Sequence, residues 1–342
     1  MIATPSQYRE MIDAARAGAY AFPAVNVSSS ETLNAALRGF AEARSDGIVQ
    51  ITTSAARYLS GPAEDMAAGA RAFAEFAHVL GERSPVLIAL HTDHATTEHV
   101  DDFLRPLLGE SRRRRERGAQ PLFNSHMFDG SELPLTDNLR ISSELLREAN
   151  ELDILLELEI GTVGGEEDGL DHQHVARARL YTTREDALTV AEALGTGERG
   201  RYLLAATFGN VHGHYAPGNV RLRPELLGEL QDALADRRNG GRGFDFVFHG
   251  GSGSTADEVR AAVANGVVKI NVDTDMQYAF THAVGEHFAG RSTAGSRDRL
   301  GAIDKAVYDP RSWGRKAELA MAARVAEAAE TLGSSGRTLA RS

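Results

Sequence analysis

Short β-rich apolar runs alternate with helical segments along almost the whole chain, and this alternation restricts the fold more than any other feature. The runs lie at 19–27, 47–53, 86–93, 121–129, 154–161, 202–212, 244–250 and 267–274. Segments of helical period separate them, among them 30–44, 65–80, 137–149, 184–194 and 255–265. Ser30 and Thr255 each precede an acidic first turn, which is a helix start signal. Eight strands with helices between them predict a parallel α/β barrel of the (β/α)8 TIM type, here with a C-terminal helical extension. Strands that are apolar almost throughout fit a sheet buried on both faces. No linker divides the 342 residues, so 1–342 reads as one barrel domain, with 334–342 as a flexible tail. Segments 164–179 and 289–303 are too long and polar to be simple turns, and such loops are usually functional or disordered.

Composition narrows the chemistry. With no cysteine, disulfides, thiolate metal sites and cysteine nucleophiles are excluded. Any transition-metal site must therefore use His, Asp and Glu. A formal charge of −11 argues against nucleic acid as a partner for the surface as a whole. The one basic run, Arg112 to Arg115 with Arg117, reads as a solvated helix face or loop in preference to a phosphate or nucleic-acid patch. There is no apolar signal core and no run of about 18 apolar residues, so a cytoplasmic protein without membrane contact is expected.

Polar residues gather where the predicted strands end. In strand order these are Asn26, then Thr52 and Thr53, then HTDH at 91–94, then HMFD at 126–129, then Glu157 and Glu159, then NVH at 210–212, then His249, then Asn271 and Asp273. Catalytic groups of (β/α)8 enzymes sit at these ends. His94, His212 and His249 come from three different strands, and three imidazoles with an open fourth position suit catalytic zinc. The turn HGGSGS at 249–254 after strand seven and NVDT at 271–274 after strand eight occupy the usual barrel phosphate site.

These segments resemble class IIA fructose-1,6-bisphosphate aldolases. The likeness is carried by LHTDH at 90–94, SHMFDGS at 125–131, LEIGTVGGEEDG at 158–169, FGNVHG at 208–213, FVFHGGSGS at 246–254, NVDTD at 271–275 and YDPRSW at 308–313. The resemblance implies reversible cleavage of fructose 1,6-bisphosphate to dihydroxyacetone phosphate and glyceraldehyde 3-phosphate. Zinc on His94, His212 and His249 would act as a Lewis acid and stabilise an ene-diolate, and Asp129 and Glu159 would give a second or alternative metal position. Asp93 would move the proton of the hydroxyl at the cleaved bond, and Glu167, on a mobile loop, the carbon-bound proton. Gly213, Gly250, Ser252, Asp273 and Thr274, with Asn271, would bind dihydroxyacetone phosphate, and nearby carbonyls a monovalent cation, Na+ or K+. Arg311 from a partner subunit would meet the other phosphate with Asn26 and Thr52, so a homodimer or larger assembly is implied.

Several positions depart from that pattern. The usual Ser-x-Gly-Gly-Ala after strand two reads Thr52-Thr53-Ser54-Ala55-Ala56. His214 and Ala216 replace a Val and a Lys, and Met276 replaces a Thr. These changes bear on the aldehyde partner, and the alternative is a paralogue acting on another ketose 1-phosphate, for example in secondary metabolism. A Schiff-base aldolase would need a buried lysine, and only Lys269 lies on a predicted strand, at the start of strand eight and so toward the far end of the barrel. A catalytically silent metal-binding barrel is the remaining rival.

Overall fold

A computed structural model describes residues 1–161, 164–167, 170–171, 180–212, 221–235, 243–251, 254–289 and 305–341; for 164–167, 170–171, 211–212 and 305–306 it describes the backbone only. Its strands are β1 Phe22–Asn26, β2 Gly47–Thr52, β3 Ile88–Thr96, β4 Ser125–Asp129, β5 Leu155–Ile160, β6 Gly164–Glu167, β7 Leu170–Asp171, β8 Tyr202–Ala206, β9 Val211–His212, β10 Phe246–Phe248 and β11 Val267–Val272. The helices are α1 Pro5–Gly18, α2 Ser30–Ala43, α3 Thr53–Leu59, α4 Met66–Gly81, α5 Arg105–Glu116, α6 Leu135–Asn150, α7 Arg184–Leu194, α8 Glu225–Ala233, α9 Ala256–Ala264, α10 Thr274–Phe288, α11 Lys305–Tyr308 and α12 Pro310–Thr331. Eight strands close a parallel barrel in the order β1-β11-β10-β8-β5-β4-β3-β2. The α/β barrel with a C-terminal helix is therefore as expected. No helix among the described residues is long and apolar enough to cross a membrane.

Strand alternation sorts the core into two clusters. Val49 and Ile51, Leu156 and Leu158, and Phe246 and Phe248 point out and pack under the helices. Ile48, Leu87, Leu155, Leu203 and Val247, near the strand starts, point in and meet Tyr8, Met11 and Ile12 of α1. Helix α1 thus plugs the N-terminal end of the barrel. Its start is fixed by a capping box between Thr4 and Gln7 and by Pro5 in the first turn. The upper, C-terminal half is left to polar side chains.

Three sequence expectations meet the structure here, and two of them change. The sixth barrel strand, expected over 202–212, ends at Ala206, and 211–212 joins a separate three-stranded sheet, β7-β6-β9. The final segment is not a loose tail over its described residues. Thr338 Oγ1 and the Leu339 amide donate to Asp46 at 2.6 and 2.7 Å, and the Asp46 amide donates to the Arg337 carbonyl at 3.0 Å. Polar composition suggests fraying, but a buried carboxylate needs donors and the chain end supplies them. The basic run, as expected, is a helix face: Arg112 pairs with Glu151, Arg113 with Glu110, Arg114 with Glu75 and Arg115 with Asp153.

Two glycines set helix approach. A Cβ on Gly39 of α2 would lie 2.5 Å from the Val325 Cβ of α12. A Cβ on Gly69 of α4 would lie 1.8 Å from the Ala56 carbonyl oxygen of α3. Gly69→Ala therefore has to push α3 off α4, at a cost of about 1–3 kcal/mol. Thermal unfolding should report this as a lower midpoint, and an unchanged midpoint contradicts the close approach.

His126 of β4 lies outside the barrel lumen, against Phe123 at 5.3 Å between ring centroids and with Nδ1 2.8 Å from Thr92 Oγ1. Burial, and then the positive field of His91, push its pKa down from 6.5 to about 3. The folded state keeps it neutral while the unfolded chain binds a proton below about 6.5, so its effect is absent above that pH and costs stability as pH falls toward 3. His126→Gln removes this liability. In urea melts the variant should gain on the wild type between pH 7 and pH 4.5, and a pH-independent difference refutes the assignment.

Candidate metal centre and active site

Asp93 and His94 are neighbours in β3, and regular pleating would send them to opposite faces. A bulge prevents that. Pairing with β4 runs His91↔Ser125 and Thr92↔His126, then resumes at Ala95↔Phe128 and Thr96↔Asp129. Between them His94 adopts φ 47°, a left-handed conformation that costs an L-residue roughly 1–2 kcal/mol. Strain of this kind at a bulge re-aims a side chain. Ligating atoms of Asp93, His94 and His249 consequently lie within 4.8 Å of one another, as do those of His94, Asp129 and Glu159.

Asp93 is fully buried and held by amide donors from three strands. Gln50 Nε2 donates at 2.7 Å, Asn26 Nδ2 at 3.0 Å and Asn271 Nδ2 at 3.2 Å. Burial works against its charge, but His94, Lys269, His249 and His91 draw its pKa below the usual carboxylate range. His94 Nδ1 sits 2.9 Å from Asp129 Oδ2, the arrangement by which a carboxylate fixes a ligating imidazole through its other ring nitrogen. Burial also opposes charge on Asp129, and bonds from His94 and Ser131 overcome it and hold the carboxyl well below its ordinary value.

His249 is gripped twice, with Nδ1 2.9 Å from Glu159 Oε2 and Nε2 2.9 Å from Glu157 Oε1. Burial would lower its pKa, but the charge of Glu159 and the bonds to both glutamates raise it to about 9. Below it, Lys269 Nζ reaches Glu157 Oε2 at 2.9 Å and Asn271 Oδ1 at 2.7 Å, with no exposure of its side chain. Lys269 is therefore in the middle of the polar layer and not at the far end of the barrel, because its long stem carries the ammonium upward. Engaged by Glu157 and Asn271, it is not presented as a Schiff-base nucleophile. His91 completes the layer, with Nδ1 2.8 Å from Ser125 Oγ and Nε2 3.4 Å from Glu157 Oε2. Burial and the Lys269 charge lower its pKa to about 4.

The other expected residues fall as follows. His212 lies in β9, whose backbone pairs with β6 at Gly165↔His212, and Glu167 lies in β6, pairing with Leu170. The backbone segment bearing Glu167 thus runs beside His212, while both side chains lie outside the described residues. Gly213, Ser252 and the carbonyls expected around them for a monovalent cation also lie outside. Asn26, Thr52 and Asp273 line one cavity of about 230 Å³. Gly250 follows His249, and Thr274 opens α10 directly after β11. Arg311 is not in this group: its side chain is 85% exposed and donates to Asp309.

Sequence reasoning passes over Gln50 and Ser125, places His91 and Glu157 at strand ends without a specific role, and weighs Lys269 only as a Schiff-base candidate. A signal is present, since Gln50 and Lys269 are polar residues inside apolar strands, at the inward step of the alternation. The donor set suits a divalent metal. Imidazoles and carboxylates from β3, β4, β5 and the end of β10 converge, and His94 and His249 are each oriented by a carboxylate.

Comparison with known proteins agrees with this geometry. The model of the family described as fructose-bisphosphate aldolase class-II matches residues 6–337. The fructose-bisphosphate aldolase of Streptomyces galbus is 56% identical, with 99% of each chain covered. That of Mycobacterium leprae is 50% identical over 100% of this chain and 99% of its own. The crystal structure of fructose-bisphosphate aldolase from Campylobacter jejuni superposes with a TM-score of 0.85 at 34% identity, covering 98% of this chain and 97% of that one. A buried carboxylate beside a histidine–carboxylate cluster that could hold a metal, on a barrel matched over residues 6–337, makes this chain a member of the metal-dependent class II fructose-bisphosphate aldolase family.

Proposed function

We propose that the chain is a lyase that reversibly cleaves fructose 1,6-bisphosphate into dihydroxyacetone phosphate and glyceraldehyde 3-phosphate, using zinc held by His94, His212 and His249. The observation that carries this is Asp93, a carboxylate fixed by Gln50, Asn26 and Asn271 directly beside His94 and His249. Relatives 56% and 50% identical that are named fructose-bisphosphate aldolase support the substrate. Bound there, the metal supplies a Lewis acid for the ketone oxygen. Asp129 and Glu159 orient His94 and His249, and offer carboxylate oxygens to a second divalent position.

In the cleavage direction Asp93 takes the proton of the C4 hydroxyl. The C3–C4 bond then breaks, its electron pair stays with the dihydroxyacetone phosphate half, and the aldehyde leaves. Glu167 returns a proton to C3, and condensation runs these steps backwards. Gly213, Gly250, Ser252, Asn271, Asp273 and Thr274 hold the dihydroxyacetone phosphate half, with a monovalent cation at neighbouring carbonyls. The start of α10 after β11 and the turn after β10 support this, because barrel phosphate sites form on those loops. Asn26 and Thr52 serve the aldehyde half. The 85% exposure of the Arg311 side chain supports service to the second phosphate in the site of a partner copy, within a homodimer.

Two experiments test the reading. Purified, zinc-loaded protein should cleave fructose 1,6-bisphosphate, lose that activity in EDTA and regain it with zinc; activity indifferent to chelator would overturn the metal-dependent mechanism. Asp93→Ala should lower kcat by about 10²-fold or more while zinc content stays unchanged. Near-normal turnover in that variant removes Asp93 from proton transfer, and loss of zinc with turnover would recast it as a ligand.

A further inference from the structure

The cavity that holds Asn26, Thr52 and Asp273 has one wall with no role in the mechanism proposed for this chain. That wall is α3, which starts immediately after β2. Thr52 caps it, accepting the Ala55 amide at 3.1 Å, and Thr52 Oγ1 stands 2.9 Å from Ser54 Oγ. Ser54 and Tyr58 both line the cavity, and Tyr58 is 74% exposed at its edge. Ser28, Thr32 and Gln277 line it too. These groups are held in place as well. The Ser28 amide donates to Thr32 Oγ1 at 3.0 Å, and Gln277 Nε2 donates to Asp273 Oδ1 at 2.7 Å.

The position of the cavity says which part of a ketose it meets. One of its lining residues is Asn26, which donates to Asp93, the group at the bond to be broken in the proposed mechanism. From Asp93 the metal cluster extends over β3, β4, β5 and β10, and the phosphate-binding loops follow β10 and β11. One half of the substrate occupies that side, and the other half has to run over β1 and β2, into this cavity. Its walls carry hydroxyls, the Gln277 amide and the Asp273 carboxylate; the hydroxyls rotate to donate to a phosphate oxygen or to accept from a sugar hydroxyl, and the carboxylate accepts from a sugar hydroxyl. The α3 wall is also packed closely on α4, where Gly69 lies directly against the Ala56 carbonyl. A hydroxyl held on a fixed element discriminates better than one on a mobile loop.

We infer that Ser54 is a specificity-determining residue, whose hydroxyl, paired with that of Thr52, binds the oxygen-rich tail of the aldehyde half of the substrate. This rests on the proposed function, in which Asn26 and Thr52 serve that half.

The test compares wild type, Ser54→Ala, Ser54→Gly and Thr52→Ala on fructose 1,6-bisphosphate and on fructose 1-phosphate, two ketoses that differ only in the phosphate at the aldehyde end. Ser54→Ala and Ser54→Gly should raise KM by about fivefold, the equivalent of about 1 kcal/mol, with the effect falling on KM and not on kcat. A rise confined to the bisphosphate identifies the tail oxygen as that of the phosphate, and an equal rise on both identifies a hydroxyl. If both Ser54 variants keep the wild-type KM on both substrates while Thr52→Ala raises it, Ser54 is no binding residue and the inference fails alone. If Thr52→Ala also leaves KM unchanged, the cavity does not hold the aldehyde half, and the reading beneath the inference fails with it.

Discussion

The ion pair between Lys269 and Glu157 is the contact on which the site depends. Both groups lie inside a closed barrel, with no solvent exposure of either side chain. Water cannot solvate them there, so each must be neutralised and hydrogen-bonded by the chain itself. Lys269 does this for Glu157, whose carboxyl is held far below its ordinary pKa: burial opposes its charge, and Lys269 and His91 outweigh burial. Glu157 then holds His249 by Nε2, and Lys269 holds Asn271, which in turn donates to Asp93. One ammonium thus connects the candidate metal cluster to the carboxylate beside it. Removing either partner of such a pair would strand a buried charge, at a cost of about 3–5 kcal/mol.

The barrel makes this layer possible by keeping its two ends chemically different. At the bottom, α1 fills the lumen with Tyr8, Met11 and Ile12 against apolar inward residues. Higher up, the same inward positions carry Gln50, His91, Ser125 and Glu157. Tyr8 marks the transition, since its hydroxyl accepts from Ser125 Oγ at 3.4 Å. Above the layer, the bulge at His94 uses backbone strain to bring two consecutive side chains to one place. That strain persists only because Asp93 and His94 are each held by several partners.

Much of this is legible in the sequence, for a physical reason. A strand buried on both faces has to be apolar, so the eight barrel strands stand out. Polar residues at the ends of such strands are costly to bury unless they serve a site, and that singles them out. Asp93, His94, Asp129, Glu159 and His249 emerge in that way, and they do converge. What escapes depends on tertiary contact. The bulge leaves no mark in LHTDH, since only the pairing with β4 reveals it. The β6–β9 pairing runs through glycines, which carry no β signal, so the docking of the Glu167 segment beside His212 is invisible in the sequence. Lys269 is misplaced by sequence reasoning because the position of a Cα does not fix that of an ammonium at the end of a long side chain. The chain end reads as frayed because its partner, Asp46, is far away in sequence.

The same arrangement explains where this chain differs from its family pattern and where it does not. Thr52, Ser54 and Ala55 stand at the start of α3, over the edge of the lumen, where Thr52 Oγ1 bonds the Ser54 hydroxyl and the Ala55 amide. The hydrogen bonds that balance the buried charges run instead between Lys269, Glu157 and His249. A change on α3 alters the wall of one cavity and leaves those charges balanced. A change at Gln50, Glu157 or Lys269 would remove a donor or a counter-charge from a layer that has no water to replace it. Under the proposed function, selectivity for the aldehyde can change on α3 without disturbing the electrostatics of the barrel interior.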